Sequence, residues 1–273
     1  MHKISIYLNR DFVFLRKIQF MFGICILANI PLRLEPSDKS EMTSQVLFGD
    51  FFEVLEEQGN WTKIRVDFDQ YEGWIDTKQY QKISEQDFNN LKQVPLKVSN
   101  DIIEYVTTSS DFLVPIHLGS DLRFLDVPEI NTQGFSFDGV YNKPITDKTE
   151  ILKTAYLYLN APYMWGGKTP FGIDCSGFTQ MVYKTIGVKI PRDAYQQANL
   201  GEHLSFIEEA EPGDLAFFDN EDGRIIHVGI IMADNYIIHA SGKVRVDRLD
   251  HQGIYNIDTG RHTHKLRVIS KII

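Results

Sequence analysis

Three side chains in the back half of the chain have the types that nucleophilic catalysis needs. Cys175 lies in Asp174-Cys175-Ser176-Gly177-Phe178, and His227 and His239 lie in apolar runs downstream. A thiol is a weak nucleophile until a base takes its proton. An imidazole serves as that base when a third polar group holds its ring. One cysteine with two histidines is also a zinc-ligand set, so metal binding is the competing chemistry. Taken singly, Cys175 reads as a small buried hydrophobe and each histidine as a core residue. Only the constellation points to catalysis.

The elements around these residues decide whether they meet. Phe178, Met181, Val182 and Ile186 repeat at helical spacing, and Gly187 follows at a C-cap position. Cys175 therefore starts a helix, where free backbone N–H groups and the dipole favour a thiolate. Upstream, Asp147 and Glu150 are spaced as a capping box before Ile151, Leu152, Ala155, Tyr156 and Leu159. That helix ends before Pro162, and Tyr163-Met164-Trp165-Gly166-Gly167 forms a glycine-broken loop. Both histidines fall on strands, at residues 225–232 and 236–240. A loop of Ala233-Asp234-Asn235 pairs Met232 with Tyr236 and Gly229 with His239, which places both imidazoles on one face. A two-residue turn would put them on opposite faces.

The front half reads as short strands at residues 46–48, 51–56, 61–66 and 73–76. Gly49-Asp50, Gly59-Asn60 and the polar residues 67–70 separate them. This pattern predicts a small barrel. Residues 84–96 read as a linking turn or short helix. Residues 112–116, 122–125, 130 and 135–140 read as strands of a second, more divergent barrel. At the start, Phe22, Ile24, Ile26, Ala28, Ile30 and Leu32 alternate, which predicts one strand over residues 21–34. Residues 1–20 then form an extension. The alternative is a secretory signal, with His2, Lys3, Arg10, Arg16 and Lys17 ahead of the apolar residues 18–30. That run is too short for a transmembrane helix, which needs about 20 apolar residues.

Composition bounds the function classes. The 273 residues are 43% hydrophobic and 12% aromatic, which excludes a disordered chain and supplies material for several cores. The net charge of -9 argues against nucleic-acid binding, and against holding a polyanionic wall or membrane surface by bulk charge. Two cysteines exclude a disulfide scaffold and fit a reducing compartment.

Five words occur in order: Asp174-Cys175-Ser176-Gly177-Phe178, Pro191-Arg192-Asp193-Ala194, Gly213-Asp214-Leu215, His227-Val228-Gly229 and His239-Ala240. Together they closely resemble the NlpC/p-sixty family of papain-like cysteine peptidases, which cleave peptidoglycan peptides. The resemblance implies Cys175 as nucleophile, His227 as general base and His239 as the orienting residue, with no metal or organic cofactor. Residues 47–66 and residues 71–79, with Gly73-Trp74-Ile75, resemble bacterial SH3-like domains. SH3-like domains ahead of such a core resemble the γ-D-glutamyl-L-diamino acid endopeptidase (dipeptidyl-peptidase VI) subgroup. That subgroup releases L-Ala-γ-D-Glu from stem peptides with a free amino terminus.

The fold class expected is α+β: a papain-like domain at residues 145–273, an SH3-like domain at 21–83 and a second, divergent one at 84–144. For the substrate amine, the resemblance implies Tyr71, Asp174 and an acid from the first SH3-like domain. Glu41 is the choice, with Asp50 competing. Ser176 is placed among the substrate contacts, whereas Arg192 and Asp193 are read as holding the helix start and loop together. Murein stem peptides are the expected partners, with no nucleic acid and no membrane. A cytoplasmic location is expected; the alternative is an exported wall hydrolase that grips the wall through its SH3-like domains.

Overall fold

The computed structural model describes residues 21–142 and 147–273. The extension expected at residues 1–20, and the basic residues of the signal-peptide alternative, lie outside the described residues.

Seven antiparallel strands form the first sheet: β1 (Met21–Ile24), β2 (Asn29–Arg33), β3 (Met42–Leu47), β4 (Phe51–Gln58), β5 (Trp61–Val66), β6 (Glu72–Asp76) and β7 (Gln81–Ile83). Their order is β3-β2-β6-β5-β4-β1-β7. Alternation builds β5, where Thr62, Ile64 and Val66 are buried and the residues between them are half-exposed. The single strand expected over residues 21–34 is two strands. The chain turns at Cys25, whose N–H donates to the Asp50 carbonyl and whose carbonyl accepts from Gly49 N–H. Phe22 and Ile24 then enter one core with Phe48, Phe51 and Phe88. Cys25, Ile30 and Leu32 enter another with Val46, Ile64 and Ile75. One alternating run thus serves two cores, which is why it reads as continuous.

Helix α1 (Glu85–Gln93) follows, with a capping box between Ser84 and Asp87. The next strands, β8 (Val98–Ser99), β9 (Ile103–Thr107), β10 (Leu113–His117) and β11 (Tyr141–Asn142), pair as β9–β10 and β8–β11, and single bridges join Val98 to Asp121 and Thr107 to Ser136. The strand expected at 122–125 is a 3-10 turn, Arg123–Asp126. Residues 84–142 therefore form two-stranded ladders rather than a continuous barrel sheet. Val106, Ile116, Leu122, Phe124 and Phe135 complete their burial by sharing a core with Phe22, Phe48 and Phe51 of the first sheet.

The back half begins with α2 (Lys148–Leu157). Asp147 caps it by accepting from Thr149 N–H, whereas Glu150 pairs with Lys153, so the reciprocal half of the expected capping box is replaced by an ion pair. A small hairpin of β12 (Lys168–Thr169) and β13 (Gly172–Ile173) leads into α3 (Cys175–Thr185), all eleven residues of which are buried. After α4 (Ala194–Gln197) come β14 (Glu202–Leu204), β15 (Leu215–Asp219), β16 (Ile225–Met232), β17 (Tyr236–Ser241), β18 (Lys243–Asp250), β19 (Gly253–Asn256) and β20 (Arg261–Lys271).

These strands order as β14-β20-β15-β16-β17-β18-β19, and β19 also pairs with β20, closing a six-stranded barrel with β14 at its side. Side-chain alternation divides the apolar residues. Leu215, Phe217, Val228, Ile230, Ile238 and Ala240 pack with Phe178, Met181 and Val182 of α3. Ala216, Phe218, Ile231, Ile237, Leu249, Ile254 and Ile269, drawn from all six strands, fill the barrel. The fold is α+β, with helices packed on an antiparallel sheet. Among the described residues, no helix is long and apolar enough to cross a membrane.

Candidate active site

Cys175 is the first residue of α3, and Asp174 is its N-cap. The Asp174 carboxylate accepts from Gly177 N–H at 2.7 Å, from Gly166 N–H at 2.8 Å and from both terminal nitrogens of Arg192. One carboxylate thus ties the helix start, the glycine loop and the loop before α4 together. Both oxygens are engaged in this way, and Asp174 also lines the cavity beside Cys175, where the resemblance placed a contact for the substrate amine. The Ser176 hydroxyl is likewise held, accepting from Arg192 at 2.9 Å. Arg192 also reaches Ser44 on β3, so the expected structural role for this arginine extends to the first sheet. The loop itself presses on that sheet. A Cβ at Gly166, where φ is +76°, would lie 2.3 Å from the Met42 carbonyl oxygen.

The helix start was expected to favour a thiolate. Burial is the larger influence and, with the Asp174 charge, pushes the Cys175 thiol up to about 12, against Val228 N–H and Arg192, which pull the other way. Burial also holds His227 well below its ordinary value, helped by His239 and His264. Both groups therefore favour their neutral forms.

The hairpin has the odd-length loop that the sequence requires. Met232 pairs with Tyr236 and Gly229 with His239, and Asp234 and Asn235 take left-handed φ values of 58° and 60°. Gly229 is required by space, since a Cβ there would lie 2.9 Å from the Cβ of His239. Nε2 of His227 lies 2.8 Å from Nδ1 of His239, and Nε2 of His239 lies 3.0 Å from Oδ2 of Asp247 on β18. Asp247 is fully buried. It also accepts from Arg245 Nε at 2.6 Å and from Ile257 N–H at 3.0 Å.

The carboxylate sets the tautomers. Burial opposes its charge, but His239, Arg245 and the Ile257 N–H bring the Asp247 pKa down to about 2. As an ionised acceptor it takes its hydrogen from His239 Nε2. His239 Nδ1 must then accept from His227 Nε2–H, which leaves the lone pair of His227 on Nδ1. Sequence reasoning missed Asp247. Its signal was parity: Asp247 lies two residues beyond Arg245, the register partner of His239, and so shares its face.

A cavity of about 450 Å³ opens at Cys175. Glu41, Thr43 and Tyr71 wall it from the first sheet, facing Trp165, Asp193 and Tyr195. Glu41 accepts from Trp165 Nε1–H at 2.6 Å. Asp50, its competitor, is buried elsewhere in an ion pair with Lys184 at 2.7 Å. Asp193 was read as structural, yet at the N-cap of α4 its side chain makes no cap bond. It lines the cavity, and burial raises its pKa. Burial and the facing Asp193 push the Tyr71 phenol up to about 12. The cavity therefore gathers three acids, Glu41, Asp174 and Asp193, around the thiol. Among the described residues, no group of three or more His, Cys, Asp or Glu side chains is arranged to hold a metal ion.

A helix-start cysteine packed on a barrel that carries an ordered imidazole pair defines a cysteine-type hydrolase. Residues 160–262 match the NlpC/P60 family, and residues 32–79 match the bacterial dipeptidyl-peptidase SH3 domain. The chain is 30% identical over 224 residues to the γ-D-glutamyl-L-lysine dipeptidyl-peptidase of Bacillus subtilis, covering 72% of this chain and 71% of that protein. It is 29% identical to dipeptidyl-peptidase 6 of Lysinibacillus sphaericus, covering 84% and 91%. The crystal structure of an NlpC/P60 family protein from Bacillus cereus shares the fold, with TM-score 0.72 and 20% identity over 92% of this chain and 99% of that one. The chain belongs to the NlpC/P60 family and is a cysteine-type peptidase.

Proposed function

We propose that the protein hydrolyses the γ-D-glutamyl–L-diamino acid bond of murein stem peptides, and that it releases L-Ala-γ-D-Glu from peptides whose L-Ala amine is free. One observation carries this reading: the cavity at Cys175 is walled by Glu41, Tyr71 and Asp193, which suit a charged amine a short peptide length from the thiol. Asp174, paired with Arg192, lies in the cavity beside Cys175, and with Glu41, Asp193 and the Tyr71 hydroxyl it forms the polar set that would hold the amine. An amine acylated to the glycan has no charge to offer these groups. Substrates are then fragments already cut from the wall, which fits a role in recycling murein peptides.

The chemistry is acyl transfer. Nδ1 of His227 takes the Sγ proton as sulfur attacks the γ-carbonyl carbon of D-Glu. The Cys175 N–H, which helix geometry leaves without an intrahelical acceptor, donates to the developing oxyanion. His239 and Asp247 hold the imidazolium. It gives the proton to the leaving amine as the C–N bond breaks, leaving a thioester. His227 then takes a proton from water, whose oxygen attacks the thioester, and the thiol leaves with that proton.

One assay tests the reading. Purified protein is incubated with L-Ala-γ-D-Glu-L-Lys or its diaminopimelate counterpart, with the N-acetylated peptide and with intact sacculi. Only the free-amine peptides are expected to be cut. Equal cleavage of blocked and free peptides would falsify the amine pocket.

A further inference from the structure

Strand β20 brings a third imidazole to the site. The His264 ring lies over the His227 ring with centroids 4.2 Å apart and planes 26° from parallel. It meets His239 at 5.8 Å and nearly at right angles, while Phe218 lies 6.0 Å from it. Nδ1 of His264 is 2.9 Å from Thr263 Oγ1 on its own strand. His264 thus takes no part in the hydrogen-bond chain from His227 to Asp247, and its only relation to His227 is through the ring face.

We propose that His264 is a positioning residue for His227: its ring fixes the plane of the imidazole and favours the imidazolium that forms as the Cys175 proton moves. The inference rests on the assignment of Cys175 and His227 made above. A face-on ring blocks rotation of the His227 plane and keeps water from one side of it. A neutral aromatic face also attracts a cationic ring, an effect that grows as water is excluded.

The charge state of His264 decides the sign, and the groups around it are few. His227 faces it from β16 and His239 from β17. Asp247, already engaged by Arg245, faces it from β18. From β15 it meets Phe218, and its register partner on β19 is Ile254. On the outer side, His251, His262 and Lys265 line a surface cleft with it, and His262 is paired with Asp250. Burial, then His239, bring His264 to about 4 against the pull of Asp247. The ring is neutral at neutral pH, so it attracts the imidazolium rather than repelling it.

The test uses full-length protein with His264→Ala and His264→Phe. Two readouts are taken: steady-state cleavage of the free-amine stem peptide, and the pH dependence of Cys175 alkylation by iodoacetamide. Cys25 is fully buried and does not compete. In His264→Ala, kcat is expected to fall about tenfold with KM unchanged, about 1.4 kcal/mol in the barrier. Alkylation at neutral pH slows in parallel. His264→Phe keeps a neutral ring face and is expected to restore both readouts to within a few-fold of the parent. The proposal fails if His264→Ala matches the parent in both readouts, or if His264→Phe is as impaired as His264→Ala. Should the alanine variant not fold, His264→Gln, which has no ring face, takes its place in the same comparison. A parent protein that cuts no stem peptide overturns the proposed substrate instead, and the alkylation profiles still decide His264.

Discussion

Asp247 and His239 are joined at 3.0 Å through Oδ2 and Nε2, and that contact determines which nitrogen of His227 is a base. Without an ionised acceptor at Asp247, the His239 proton has no reason to stay on Nε2, and the tautomer that leaves His227 Nδ1 unprotonated loses its support. Asp247→Asn keeps the shape and removes the charge. Its kcat is expected to fall roughly 10–100-fold with KM unchanged, the scale found for carboxylates that orient metal-bound imidazoles. Steady-state kinetics on the free-amine peptide checks this, and an unchanged kcat would remove Asp247 from the relay.

Glu41→Gln separates charge from shape at the cavity wall. The glutamine oxygen still accepts from Trp165 Nε1–H, so the bond between the first sheet and the glycine loop survives. A hydrogen bond to a charged group contributes about 1.5–3 kcal/mol. The kcat/KM for a free-amine peptide is accordingly expected to fall by about one to two orders of magnitude. Activity on the N-acetylated peptide stays at its baseline. An equal loss on both substrates would assign Glu41 to packing.

The ion pair of Asp50 and Lys184 crosses from the first sheet to α3 with both side chains buried. Burial opposes the charge on Asp50, yet Lys184 and Lys168 hold its pKa below the ordinary value. Removing one partner strands the other. Asp50→Ala or Lys184→Met alone is expected to cost about 3–5 kcal/mol, whereas a double replacement by apolar side chains costs much less than the sum. Chemical denaturation of the two single variants and the double variant gives the coupling. Additive losses would show that the pair does not hold the two halves together.

The site was legible where local geometry fixes it. Cys175 at a helix start follows from the spacing of Phe178, Met181 and Val182, and the shared face of His227 and His239 follows from an odd loop. Glu41 and Asp50 could not be ranked from sequence, because what separates them is tertiary: one reaches Trp165 across the cavity and the other Lys184 within the core. Asp247 and His264 were missed for a related reason. Lys243-Val244-Arg245-Val246-Asp247-Arg248 looks like a solvated strand of alternating charge until barrel closure buries one face. His264 meets His227 only because β20, far along the chain, pairs with β15. The split of residues 21–34 was hidden because Ile24 and Ile30 satisfy the same period while facing different cores.

The three imidazoles also make stability depend on pH. His227, His239 and His264 are all held below the ordinary histidine value, His264 at about 4 and in each case chiefly by burial. In the unfolded chain they titrate near 6.5. Below about 6.5 the unfolded state binds more protons than the folded one, for His264 down to about 4, so stability rises with pH across that range. The contribution is full above about pH 6.5 and is lost as pH falls towards 4. Asp247, lowered to about 2, acts in a separate window, its contribution being lost as pH falls below about 4. The melting temperature of the parent is therefore expected to drop between pH 6.5 and 4, before carboxylate protonation adds its own loss. His264→Phe removes one titrating ring and keeps the stack, so its melting curve over that window should be flatter. Parallel curves for the two proteins would mean that His264 already titrates normally in the folded state, and that its ring is open to water.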